Sequence, residues 1–341
     1  MREIVIVIRD LYLEPEPGQG VGAAPGIEHV ARFGDKATLR VGWRAWVAHW
    51  LGLPQYAREM PASVAAAALV DAPTDGAVWL VTPMHLIAGL TSLHFDRRSV
   101  LRLSGAELEE LAVSFRDTFR GSGFELRPLA GGELLLSGPL LSAPSTTTEP
   151  ARMLLTSVAE AFVAGQSAPA LRRLSAEMEM WLHDHPINEA RGRRGAPPVA
   201  TLWVWGGGAA AISRPTASRE IADAAFGSDA YVGGLWRLAG GESRPMPVDW
   251  AAVIGEPRAQ RALGVVEVAE LLHANASWLL ADAVAEIDRR LISPSLAALR
   301  RGEIDQLVVL ANDRRLSVRA ADRWRLWRRM RAVRSGFESL A

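Results

Sequence analysis

Arg191, Arg193 and Arg194 stand just upstream of an apolar stretch, Thr201 to Trp205, that runs straight into Gly206-Gly207-Gly208. Guanidinium groups pair with carboxylate and phosphate in a planar, two-pronged geometry. Where a strand empties into glycines and then a helix, the uncovered backbone N–H groups and the helix N-terminus can hold an anion as well. The spacing therefore predicts a site for a small phosphorylated or carboxylate anion, built from Arg191, Arg193, Arg194, Gly206 and Gly207. His85 joins this set, because "TPMHL" places it just past a strand at Val78 to Val81, and strand ends of α/β sheets gather site residues. Other histidines read as structural. His183 and His185 are i and i+2 and share no helix face, which disfavours a zinc pair, and His273 stands alone on a helix.

Those residues must be positioned by recognisable elements. Leu171, Leu174, Met178, Trp181 and Leu182 mark a helix that should stop at His185, since Pro186 pushes the residue before it out of the helical region. A loop carrying the arginines follows, closed by Pro197 and Pro198. Glu3 to Ile8, Thr201 to Trp205 and Gln306 to Leu310 are near-continuous apolar runs, as expected of strands covered on both faces. The fold class expected is α/β, with these runs in one largely parallel central sheet and helices on both faces. Ser104 and Glu107 form a capping box ahead of a helix ended by Gly121, and Phe124 to Leu129 pairs with Glu133 to Ser137 as a hairpin. Trp43, Trp46 and Trp50 fall on one helix face as a core stripe. Ser142 to Pro150 reads as a linker followed by two helices. Residues 77–200 are thus expected to be an inserted α+β unit, with 1–76 and 201–341 forming the core.

Composition bounds the function. The chain has 341 residues, 49% apolar, with 38 basic and 38 acidic side chains and no cysteine. Charge balance argues against nucleic acid as the partner, and the lack of cysteine removes disulfides, thiolate catalysis and Cys-type zinc sites. The apolar run Ile4 to Ile8 is far too short to span a membrane or act as a signal peptide core, so a cytoplasmic location is expected. Arg314 to Arg334 is arginine-rich, with Trp324 and Trp327 at helical spacing. Such a segment can bind nucleic acid, membranes or partners. With Lys36 the only lysine, arginine serves as the general surface cation, which favours a buried tryptophan face with solvated arginines.

"DHPIN" followed by "ATLWVWGGG" resembles a segment of archaeal-type cofactor-independent phosphoglycerate mutases, members of the alkaline-phosphatase-like superfamily. It is closer still to a related bacterial family, the RpfE-type regulatory proteins. "GWRAWVAHWLGLP", "VWLVTPMHL" and "ADRWRLWRR" have counterparts there, so the resemblance spans most of the chain. "LADAVAEIDRRL" is similar to the long mutase helix with its "IE-x-ID"-like pattern. The resemblance implies an alkaline-phosphatase-like fold in which Asp10, ending the first strand, and Asp313, ending a late one, stand at metal-ligand positions. Arg314 follows Asp313 where the superfamily has histidine.

A two-metal phosphoryl-transfer site needs several Asp and His ligands around ions about 4 Å apart, and only Asp10 and Asp313 match. Two readings follow. The preferred one is a non-catalytic regulatory or ligand-binding relative of the mutase, a pseudoenzyme with no cofactor, Asp10 and Asp313 being vestigial and neutralised by guanidinium groups such as Arg9 and Arg314. The alternative is an active mutase-like or phosphatase-like enzyme using Mn, Mg or Zn. The protein partner and the oligomeric state are left open.

Overall fold

The computed structural model describes residues 2–9, 11, 24–88, 93–96, 98–129, 131–139, 148–153, 169–213, 224–255, 261–275, 277–311 and 313–324. The strands are β1 (Glu3–Ile8), β2 (Asp35–Thr38), β3 (Ala77–Met84), β4 (Ile87–Ala88), β5 (Leu93–His94), β6 (Glu125–Pro128), β7 (Leu134–Gly138), β8 (Thr201–Ala209), β9 (Ala224–Phe226), β10 (Ser243–Arg244), β11 (Arg261–Val266), β12 (Gln306–Ala311) and β13 (Arg314–Arg319). They divide between two compact units. One comprises Met1–Ala57, Ser218–Asp229 and Ala239–Ala341; the other comprises Arg58–Ala217 and Ala230–Leu238.

The first unit holds a seven-stranded sheet in the order β10-β9-β11-β1-β12-β13-β2. From β10 to β12 every pairing is parallel, and β13 and β2 close the sheet antiparallel at one edge. This is the α/β fold with a mostly parallel sheet that the sequence predicts. β1 is buried along its whole length, as its unbroken run of Ile and Val requires, and it pairs in parallel with β11 on one side and β12 on the other. Edge strand β2 carries exposed Asp35 and Lys36, charges that discourage edge-to-edge pairing. Helix Leu280–Ile287 passes through a π-turn, Asp288–Ile292, directly into helix Ser293–Arg301. Pro294 sits in the first turn of the second of these helices, where its missing N–H costs nothing. The buried Asp288 carboxylate accepts from Gly26 N at 3.1 Å and Ile27 N at 2.6 Å, at the start of helix Pro25–Phe33, and from the Ser293 hydroxyl at 3.0 Å.

The second unit holds a four-stranded antiparallel sheet, β6-β7-β3-β8. Here the sequence expectation is corrected. The strand starting at Thr201 belongs to this sheet, beside β3, and does not join β1 and β12. An apolar run reports burial on both faces but not which sheet buries it; β8 is covered by helix Pro61–Ala67 and by helix Pro169–His183. The turn expected at the glycines is also absent, because β8 runs on to Ala209. Gly206 takes a left-handed φ of 63° where the β3–β8 register shifts, a bulge position open mainly to glycine. Gly207 lies flat against the Trp79 indole, with no room for a Cβ. On the other side, helix Gly105–Thr118 and helix Pro169–His183 close a core of Trp79, Val81, Leu111, Phe115, Leu134, Leu136, Leu174, Met178 and Leu202. The capping box at Ser104 and Glu107 and the β6–β7 hairpin are as the sequence predicts.

Two substitutions test this account. Gly207→Ala should destabilise by about 1–3 kcal/mol through overpacking against Trp79, measured by chemical denaturation. Asp288→Ala should cost about 2–4 kcal/mol, since it strips a charged acceptor from buried N–H groups, and Asp288→Asn should recover only part of that.

Candidate functional site

The parallel strands of the first unit end together. Ile8 lies level with Val266 of β11 and Ala311 of β12, and the ladder continues one step as Arg9 N donates to Val266 O at 3.0 Å. Such carboxyl ends are where open α/β sheets place their ligands. Past β11 the chain reaches Glu267 and turns into helix Val268–Ala274; past β9 it reaches Asp229. Register alone therefore gathers three charged side chains onto one edge.

Arg9 Nη1 stands 3.3 Å from Asp229 Oδ2 and 3.5 Å from Glu267 Oε2, and Arg44 Nη2, from helix Gly42–Trp50, reaches the same Asp229 oxygen at 3.3 Å. The side chains of Arg9, Asp229 and Glu267 are only 5%, 2% and 5% exposed, and that of Arg44 is 14% exposed. Among the described residues, two guanidinium groups thus meet two carboxylates away from water. Pairing is what makes the burial tolerable, since an isolated buried charge is expensive. The cluster expected from the resemblance set Arg9 and Arg314 beside Asp10 and Asp313; the structure sets Arg9 beside Asp229, Glu267 and Arg44, none of which the sequence reading singled out. Glu267 directly follows β11 and Asp229 stands three residues past β9, placements that became readable only once β11 was known to pair with β1 and β9 with β11; Arg44, on a helix, carried no such signal.

Asp10 lies outside the described residues, as do most of the Ser142 to Pro150 stretch and the chain beyond Trp324, including Trp327. Asp313 sits between β12 and β13, with its carbonyl accepting from Leu39 N at 2.7 Å. The described residues at this edge do not fit a divalent ion. The space between the two carboxylates already holds a guanidinium, and a doubly charged ion about 4 Å from it would meet a repulsion of about 8 kcal/mol at an effective dielectric constant of about 20. Among the described residues, no group of three or more His, Asp or Glu is placed to hold a metal.

The predicted anion-site residues lie in the second unit, and the structure divides them. The stretch expected to be a loop is helix Pro186–Arg193: Pro186 starts it, and His185 caps it, Nδ1 accepting from Ile187 N at 3.1 Å. Proline bars helix before itself but is well suited to a first turn. Arg191, buried, donates from Nε to Pro197 O at 2.7 Å and pairs through Nη1 with Glu107 at 2.8 Å. Arg194 pairs with the same Glu107 oxygen at 2.8 Å, and Arg193 approaches Glu189 at 3.9 Å on the surface. His85 directly follows β3, with Nδ1 3.2 Å from Pro198 O, so His85 and Arg191 meet the same Pro197-Pro198 segment. The glycines are elsewhere. Thr201 pairs with Met84 at the start of β8, and Gly206 comes five residues later, about 17 Å along the strand at about 3.3 Å per residue.

Burial works to raise the Glu107 carboxyl, but hydrogen bonds from the Ser104 backbone and hydroxyl and from Arg191 outweigh it and bring it to about 2. His185 is shifted down, by burial first, against a smaller opposing pull from Glu110.

No family model matches this chain, and neither does any curated protein. Among solved structures, the cofactor-independent phosphoglycerate mutase from Thermoplasma acidophilum DSM 1728 is similar at 16% identity and a TM-score of 0.41, over 100% of this chain and 96% of that one. The PH0037 protein from Pyrococcus horikoshii is similar at 14% identity and a TM-score of 0.43, over 90% of this chain and 81% of that one.

Both shifted groups make pH predictions. Glu107, depressed when folded, contributes stability above its unfolded value of 4.5 that is lost as pH falls from there towards about 2. Glu107→Gln should remove that component from an acid denaturation curve. His185, kept neutral by the fold, contributes fully above its unfolded value of 6.5 and progressively less below it. His185→Asn, which preserves a capping side chain, should flatten stability just below that pH.

Proposed function

We propose that this chain is a non-catalytic regulatory or ligand-binding protein related to the cofactor-independent phosphoglycerate mutases, with an alkaline-phosphatase-like core. The observation that carries the reading is the Arg9 guanidinium between Asp229 and Glu267, at the strand-end crevice where a metal-dependent relative would hold its ions. Among the described residues, guanidinium groups of the chain itself stand beside the carboxylates there. The sequence blocks resembling the RpfE-type regulatory proteins support the same reading.

An anionic ligand remains part of the proposal, with the region around His85 and Arg191 in the second unit as its place. There a half-buried imidazole and a buried guanidinium flank the Pro197-Pro198 backbone, and exposed Arg193 adds positive charge. Arg191 and Arg194 share Glu107, so an anion would compete with a carboxylate already in position. Weak binding of a small phosphorylated or carboxylate compound is expected. No described helix is long and apolar enough to cross a membrane.

Elemental analysis of the purified protein, with thermal unfolding in the presence of phosphorylated three-carbon acids, tests this. The expected result is no stoichiometric divalent ion, and a saturable thermal shift from one of the acids that is reduced by Arg191→Met. A ligand at a hundred times its Kd should stabilise by about 2.7 kcal/mol. Two tightly bound divalent ions, or mutase or phosphatase turnover on adding Mn, Mg or Zn, would overturn the proposal in favour of the metal-dependent enzyme.

A further inference from the structure

The segment 197–199 that leads into β8 is gripped at three points. Arg191 Nε donates to Pro197 O at 2.7 Å and His85 Nδ1 to Pro198 O at 3.2 Å. Asn188 brackets Val199, its Oδ1 accepting from Val199 N at 2.7 Å and its Nδ2 donating to Val199 O at 2.9 Å. Both flanking grips come from helix Pro186–Arg193, whose first turn is capped by His185. We infer that His185 is a proton-operated latch: the neutral ring seats helix Pro186–Arg193 on the 197–199 segment, and a proton on Nδ1 releases it.

The surroundings fix the tautomer of the ring. Nδ1 accepts from Ile187 N, so the hydrogen of the neutral imidazole sits on Nε2, which is buried and meets no acceptor. The Trp181 indole crosses the ring at 81° with centroids 4.8 Å apart, and His185 is only 3% exposed. A second proton would set an Nδ1–H against the Ile187 N–H and place positive charge at the positive end of a helix. The closed arrangement therefore excludes the imidazolium, in keeping with the downward pull of burial on this group. Of the carboxylates on helix Gly105–Thr118, Glu110 favours the charged ring but less strongly than burial opposes it. Glu107, at about 2, stays ionised and keeps its pairs with Arg191 and Arg194 wherever histidine titrates. On helix Pro169–His183, Glu179 is raised by burial and accepts from the Thr201 hydroxyl at 3.1 Å, while His183 stands in water beside Asp184. Arg193 faces Glu189 at the surface. His85 carries its hydrogen on Nδ1 whether neutral or charged, so its hold on Pro198 survives protonation. The proposed anion place rests on this same segment, but the latch does not depend on that reading, because it is measured without a ligand.

Hydrogen exchange of the unaltered chain, His185→Asn and His185→Ser at about pH 7.5 and about pH 5.5 tests the latch, expressed as protection factors so that the direct effect of pH on exchange is removed. Because the closed ring titrates below the ordinary 6.5 of an open one, opening should grow by up to about tenfold at the lower pH. Protection across 186–199, at the amides of Ile187, Ala196 and Val199, should fall while helix Gly105–Thr118 keeps its own. Both variants retain a capping oxygen and take up no proton, so neither should show the fall. Any contribution from Glu179 persists in the variants and is removed by the comparison. The inference is overturned if 186–199 is equally protected at both pH values in the unaltered chain, or if either variant loses as much protection. Should neither variant fold, the unaltered chain decides: a loss confined to 186–199 supports the latch, and a loss shared with helix Gly105–Thr118 overturns it.

Discussion

A strand in the middle of a sheet, hidden from water on both faces, must satisfy its backbone from both sides, and β1 does so between β11 and β12 over all of its residues. The rest of the first unit depends on that constraint. Because both pairings are parallel, the chain must return across the sheet after each strand, and all the carboxyl ends open at one edge. The residues just past those ends are brought together whatever their identity. Here they are charged and of both signs, so the edge becomes an ion-paired cluster.

The second unit is organised by burial of a different kind. β8 and β3 are apolar on both faces, and the large indoles of Trp79, Trp203 and Trp205 must be accommodated within that layer. Trp205 is satisfied by donating to the Thr82 hydroxyl at 2.9 Å, and Trp79 gains its place because Gly207 has no side chain. The glycine run that looks like an anion cradle in sequence is therefore packing space within a bulged strand. Glu107 caps its own helix with Ser104 and holds Arg191 of helix Pro186–Arg193 and Arg194 at that helix's end.

The sequence by itself determined the elements whose signals are local. An unbroken Ile and Val run fixed β1 as a buried strand, and Ser104 and Glu107 fixed a helix start. Tertiary structure alone decided what depends on pairing partners far away in the chain. The sheet to which β8 belongs is set by its register with β3, and Thr201 and Met84 are separated by more than a hundred residues that no local pattern connects. Likewise Asp229 and Glu267 are ordinary acids until β11 pairs with β1 and β9 with β11, because a charge becomes part of a site only when the backbone register places its counter-ion within reach and removes the water between them.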